Sequence, residues 1–279
     1  HMSGAQVLNA AANVGVLRLV AARVLGLEAA GVFAFMQQLV TIANRYMPSV
    51  LFANLVRPML VSRLATGDRQ GVADGLGLLW KLNVLSVWPG VPLMLLVGTP
   101  LLAWLSGGRA MDAAWPMAWL TVALASLGQN QILTMTMQVH GRTALARGMG
   151  TLALLAPVAA WVGGAWGVTG LAAGYALALS LRSAINLAFL RWPLRALTLD
   201  AGGVFRPLAV LVLASLALWA LQEATRLPWP WVAFGLLACY ALGVRAVRPL
   251  SEADFDLLQR AFRAKAQHLR PWVHAARAG

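Results

Sequence analysis

The chain has 279 residues, of which 60% are hydrophobic and 11% charged, with 22 Lys and Arg against 9 Asp and Glu, and its mean hydropathy is +0.71. A soluble domain carries about 25% charged residues, so the composition excludes an ordinary soluble protein and points to an integral membrane protein. The basic excess falls mostly in short links between apolar runs, the distribution that the positive-inside rule produces, and no nucleic-acid partner is expected.

At the N-terminus, His1-Met2 reads as a cloning scar, and residues 1–4 as flank. Gln6, Asn9 and Asn13 interrupt the place where a signal-peptide h-region would lie. A spanning helix needs about 20 mostly apolar residues. Eight segments have that length, approximately 5–27, 30–54, 79–103, 115–138, 145–166, 168–190, 207–225 and 228–247, which predicts an all-α fold of about eight transmembrane helices. Breakers mark the joints, among them "GLEAAG" (26–31), "HGR" (140–142), "GGAWGVTG" (163–170) and "LPWP" (227–230). Gly163/Gly167 and Gly170/Gly174 have the small-xxx-small spacing that lets helices approach closely.

The basic residues alternate sides. Arg57, Arg63, Arg69 and nearby Lys81 lie between spans two and three, Arg142 and Arg147 between four and five, and Arg191, Arg195 and Arg206 between six and seven. The tail adds Arg245, Arg248, Arg260, Arg263, Lys265, Arg270 and Arg277, whereas the other side has Arg109, Arg226 and Arg23. Both termini are therefore expected in the cytoplasm. From Ser251, "SEAD" is a capping box. Phe255, Leu258, Phe262, Ala266 and Leu269 follow at helical spacing among the basic residues, so the tail reads as an amphipathic helix on the anionic lipid of the inner leaflet. A solvated helix with an incidental apolar face is the alternative.

Span two holds the first candidate site. On a helix, Gln37, Gln38, Thr41, Asn44, Arg45 and Pro48 fit an arc of about 120°. Lipid cannot be what that face meets; it lines a polar cavity or packs against polar helices. Arg18 in span one, Arg45 and Arg182 in span six lie inside their segments, and none of the nine acids sits mid-span. An arginine near the bilayer centre costs about 2.5–3.5 kcal/mol on insertion scales. Unpaired cationic charge of this kind suits a water-filled cavity that accepts an anion. Snorkelling to an interface is the alternative for each arginine, and Arg18 shares its stripe with Ala11, Gly15 and Ala22, which could equally be a packing seam.

Span four adds Ser126, Gln129, Asn130, Gln131, Thr134 and Gln138, spread around the helix. Amides suit sugar hydroxyls but ordinarily serve as interhelical glue. The single cysteine, Cys239, reads as a small core residue, with no disulfide framework. There is no paired carboxylate on one link, no Gly-rich phosphate loop and no metal-spaced His/Cys set, so no enzyme, metal or cofactor is expected.

Several stretches resemble the carboxy-terminal half of Wzx-type O-antigen flippases in the multidrug/oligosaccharidyl-lipid/polysaccharide exporter superfamily. They are "LRLVAARVLGLEAAGVFAFMQQLV" (17–40), "ANLVRPMLVSRLATGDRQG" (53–71), "VGTPLLAWLSGGRAMDAAWPMAWL" (97–120), "GAWGVTGLAAGYALALSLRSAINL" (164–187) and "YALGVRAVRPLSEADFDLL" (240–258). The resemblance implies a six-helix exporter lobe over 5–190, a cytoplasmic link over 191–206, two additional transmembrane helices over 207–247 and a basic tail over 248–279. Where the family's seventh helix often carries an Asp-Arg pair, this chain has Leu17 and Arg18, which keeps an anion-binding role and weakens an ion-coupled one.

The implied function is flipping of a polyprenyl-diphosphate-linked oligosaccharide across the bacterial inner membrane. Arg18, Arg45 and Arg182 would hold the diphosphate; Gln37, Gln38, Thr41, Asn44, Gln129 and Asn130 would contact sugars or order the cavity. Such exporters rock two lobes against each other, so the first lobe comes from the same exporter or from a partner chain. Two other readings are a membrane glycan polymerase or ligase and an interaction-only subunit.

Overall fold

A computed structural model describes residues 14–51, 53–108, 110, 112–141, 148, 150–191, 198, 200–252, 254–257 and 259. Among them the chain is helical, without a strand. The helices are α1 (Val14–Leu25), α2 (Leu27–Arg45), α3 (Pro48–Leu51), α4 (Ala53–Ala65), α5 (Arg69–Val87), α6 (Gly90–Ser106), α7 (Ala114–Val139), α8 (Leu155–Gly163), α9 (Gly167–Arg191), α10 (Ala201–Thr225) and α11 (Trp229–Val247). Four helical segments, Arg69–Ser106, Leu152–Leu190, Gly202–Thr225 and Trp229–Val247, are long and apolar enough to cross a membrane. The chain is thus compatible with a multi-pass membrane protein.

The breaks follow local chemistry. Gly26 takes a left-handed φ of 84° and ends α1, so the joint read over 26–31 narrows to one residue, and "LEAAG" already belongs to α2. Gly167, with φ 76°, reverses the chain between α8 and α9, which pack along each other as a hairpin. Span two was expected to run through 54, but α2 stops at Arg45. Pro48 has no N–H, and the residue before a proline is disfavoured in the helical region. Tyr46 and Met47 instead donate to Ala43 and Asn44 carbonyls, at 3.0 and 3.2 Å.

Residues 55–78, expected as a link, are largely helical. Charge interrupts hydropathy there without interrupting helicity: α4 and α5 form a helix-turn-helix around Gly67 and Asp68. The Asp68 carboxylate caps α5 by accepting the Gly71 N–H at 2.9 Å and lies 3.8 Å from Arg63.

Helix α7 is the axis of the fold. It carries no charged residue, buries 18 of its 26 residues, and touches α2, α3, α4, α5, α6 and α9. One core, around Leu17, Phe33, Met36, Leu102, Leu120 and Leu171, joins α1, α2, α6, α7 and α9. A smaller one, around Leu60, Leu76, Ile132, Leu133 and Leu190, joins α4 and α5 to the far ends of α7 and α9. The pair α10–α11 docks against α5–α6 from outside these cores, with the Tyr240 hydroxyl donating to the Leu85 carbonyl at 2.8 Å. Phe205, Leu213, Trp219, Trp231 and Phe234 leave its outer face apolar and exposed. Cys239, expected in a core, is exposed on α11. The capping box forms at the start of the tail: the Asp254 N–H donates to Ser251 Oγ at 3.2 Å, and the Ser251 N–H to Asp254 Oδ2 at 2.9 Å. Most of the expected amphipathic tail, including Phe262, Ala266 and Leu269, lies outside the described residues.

Candidate functional site

The polar face of α2 is divided by the packing of the helix. Gln37 is 3% exposed, turned toward the protein together with half-buried Thr41 and Asn44. Thr41 Oγ1 donates back to the Gln37 carbonyl at 2.8 Å, which satisfies the hydroxyl within the helix. Gln37 Oε1 and Nε2 and Asn44 Oδ1 are buried and have no hydrogen-bond partner among the described residues. Gln38 and Arg45 lie on the exposed edge, seven residues apart and in line with exposed Gly31. On neighbouring α1, Arg18 is exposed beside Gly15, while Leu17 is fully buried in the core. An acid at position 17 would have pointed into apolar packing, not toward Arg18's surface.

These polar residues lie at different levels along the two helices. Measured from the turn at Gly26 at 1.5 Å per residue, Arg18 lies about 12 Å along α1, Gln38 about 18 Å along α2, and Arg45 about 28 Å. Among the described residues neither arginine makes a salt bridge.

The amides of α7 go elsewhere. Asn130, 6% exposed, donates through Nδ2 to the Leu179 carbonyl at 3.4 Å and accepts through Oδ1 from Asn186 Nδ2 at 3.1 Å. Ser126 and Ser180 share a 2.9 Å bond, and Ser183 Oγ donates to the Ser126 carbonyl at 3.2 Å. This is a polar seam between α7 and α9. Arg182 lies next to it, half-buried, with Nε buried and without a partner among the described residues. Gln129 is half-buried, and Gln131 and Gln138 are exposed.

Two clefts open where the α1–α2 turn meets the ends of α6 and α9. One, of about 640 Å³, is lined by Glu28, Gly31, Phe35, Leu105 and Ser106. The other, of about 540 Å³, is lined by Glu28, Met36, Asp112, Pro116 and Thr169. Both carry carboxylates, and neither contains Arg18, Arg45 or Arg182.

No model of a known protein family, no curated protein and no solved structure matches the chain.

The most developed polar cluster lies on residues read from sequence only as basic links, caps and tail. Lys81, 4% exposed on α5, donates to Asp200 Oδ2 at 2.8 Å, Asp254 Oδ2 at 2.8 Å and the Pro249 carbonyl at 3.0 Å. Asp200 Oδ1 meanwhile accepts the Gly203 N–H at 2.9 Å and so caps α10. Lys81, and then the Gly203 amide, hold the Asp200 carboxyl below the usual aspartate range. The stability this contributes is complete above the ordinary aspartate pKa and fades as pH falls through the lowered one. The signal in the sequence was a lone lysine inside "LGLLWKLNVL", where an unpaired ammonium would be costly. Which acids answered it depended on contacts between elements far apart in the chain. Buried Asn83 was also overlooked; its Nδ2 donates to the Ala125 carbonyl at 3.1 Å, against Gly128.

Proposed function

We propose that the chain is one lobe of a transporter for an amphiphilic anion, a polyprenyl-diphosphate-linked oligosaccharide, in a bacterial inner membrane. It crosses that membrane eight times with both termini cytoplasmic and works against a second lobe. The observation that carries this reading is Arg18, exposed on α1 with Gln38 at a neighbouring level on α2. If the Gly26 turn lies at one face of a hydrocarbon slab about 30 Å thick, Arg18 is near its middle and Arg45 near its far side. A mid-depth arginine on a lipid-facing surface costs about 2.5–3.5 kcal/mol on insertion scales. A polar groove shared with a second lobe avoids that cost, and a diphosphate passing along it meets Arg18, Gln38 and Arg45 in turn. The acidic clefts at the outer end then belong to the glycan's exit, where carboxylates accept hydrogen bonds from sugar hydroxyls.

The test is glycolipid export in cells carrying the full transporter with Arg18→Ala or Arg45→Ala at matched expression. A charge-assisted hydrogen bond is worth about 1.5–3 kcal/mol, so export falls by roughly tenfold or more in Arg18→Ala and by less in Arg45→Ala. Unchanged export in Arg18→Ala overturns the reading.

A further inference from the structure

We infer that Lys81 is the catch of a latch that holds the C-terminal helix pair and the start of the basic tail against the rest of the protein. Three separate pieces of chain converge on its Nζ: Asp200 at the start of α10, the Pro249 carbonyl just after α11, and Asp254 in the first turn of the tail. This inference does not depend on what the protein transports.

Several features make the cluster a releasable catch and not ordinary packing. Both carboxylates have second duties, Asp200 capping α10 and Asp254 closing the Ser251 capping box, so closing on Lys81 and ordering two helix starts are one event. The backbone is shaped to the same point: Arg248 takes a left-handed φ of 48° where α11 ends, and a side chain at position 203 would strike the Pro249 carbonyl. The cluster also borders a cleft of about 400 Å³ lined in part by Leu78, Thr198 and Leu257, and the Asp200 side chain is 49% exposed. Water and ions therefore reach one side of the catch while Lys81 stays buried.

The charge balance gives the catch its direction. One ammonium faces two carboxylates, with Arg206 of α10 beside Asp200 and Asp74 of α5 behind Thr198, whose Oγ1 donates to Asp74 at 3.0 Å. Without Lys81, Asp200 and Asp254 repel each other with no ammonium between them, and the tail leaves. Beyond Asp254 the sequence carries Arg260, Arg263, Lys265 and Arg270. The latch thus sets where a strongly basic segment starts relative to α5.

The experiment uses the full chain in native membranes with Cys239→Ser, the reporter pair Leu78→Cys/Leu257→Cys across the cleft, and pH 7.5. A second pair, Ser126→Cys/Ser180→Cys, reads whether the α7–α9 seam is intact. In the parent, oxidation joins the 126–180 pair, whose hydroxyls lie 2.9 Å apart, and the rate at 78–257, two positions that line one cleft, is the reference. Lys81→Met slows the 78–257 disulfide by roughly tenfold or more and leaves the 126–180 pair unchanged. Adding Asp200→Asn and Asp254→Asn to Lys81→Met restores the rate, because the repulsion is gone. An unchanged 78–257 rate in Lys81→Met overturns the latch, as does failure of the neutral triple variant to recover. Loss of both disulfides overturns it too, since Lys81 would then support the whole fold.

Discussion

Asn130 and Asn186 meet across the α7–α9 seam, where hydrogen bonds within the protein stand in for those to water. Removing Asn130 breaks its bonds to Asn186 and to the Leu179 carbonyl and leaves the buried Asn186 amide without a partner. Interhelical bonds of this kind measure about 0.6 kcal/mol on average in membranes, and an orphaned buried donor costs about 1–3 kcal/mol. Asn130→Ala is therefore expected to destabilise the protein by about 1–2 kcal/mol in detergent unfolding, with export per folded molecule unchanged. A variant that unfolds normally but exports poorly returns Asn130 to the substrate path. The sequence showed the amides of span four but not their directions, because they are spread around a helix that is buried on nearly every side. Lys81 was harder still: its partners are more than a hundred residues away, and nothing local names them.

The hairpin of α8 and α9 shows how an element follows from small residues. A side chain at 174 would strike the Ala159 carbonyl, and one at 170 the Gly163 carbonyl, so both glycines sit where two backbones touch. The Gly170/Gly174 spacing made one side of this contact readable in advance, whereas that Gly163 faces Gly170 across the hairpin was not. Gly167 had been grouped with them but serves the turn. Gly174→Ala has to push the helices apart and is expected to cost about 1–3 kcal/mol. Gly202→Ala is the matched comparison: its Cβ meets nothing nearer than Asp200 Oδ1 at 3.6 Å, and alanine is the better helix former. Thermal unfolding of the two side by side should separate them clearly. Equal midpoints would mean that the hairpin is not in close backbone contact. Elements whose ends depend on one residue, such as α2 at Pro48, were misplaced by several positions, since hydropathy continues across a break that hydrogen bonding cannot.

At the scale of the whole molecule, the all-helical class and the presence of long apolar helices were legible, because length and hydropathy are properties of the chain itself, whereas the expected span over 79–103 falls partly on α5 and partly on α6. The face that each polar residue presents depends on neighbours, and there the helical arc on α2 was only half informative. Its members were expected to share one environment, yet Gln37 is buried against the protein while Gln38 and Arg45 lie on the surface. This changes which residues report on a second lobe. In a Cys239→Ser background, Gln37→Cys is expected to resist small aqueous thiol reagents whether or not a polar groove exists, because its own fold covers it. Gln38→Cys and Arg45→Cys are the informative pair. Rapid labelling of both in the intact membrane, slowed by added lipid-linked glycan, is the outcome expected of a hydrated groove between lobes. If both are blocked and glycan makes no difference, the surface is sealed by a partner, and the interaction-only reading replaces the transporter.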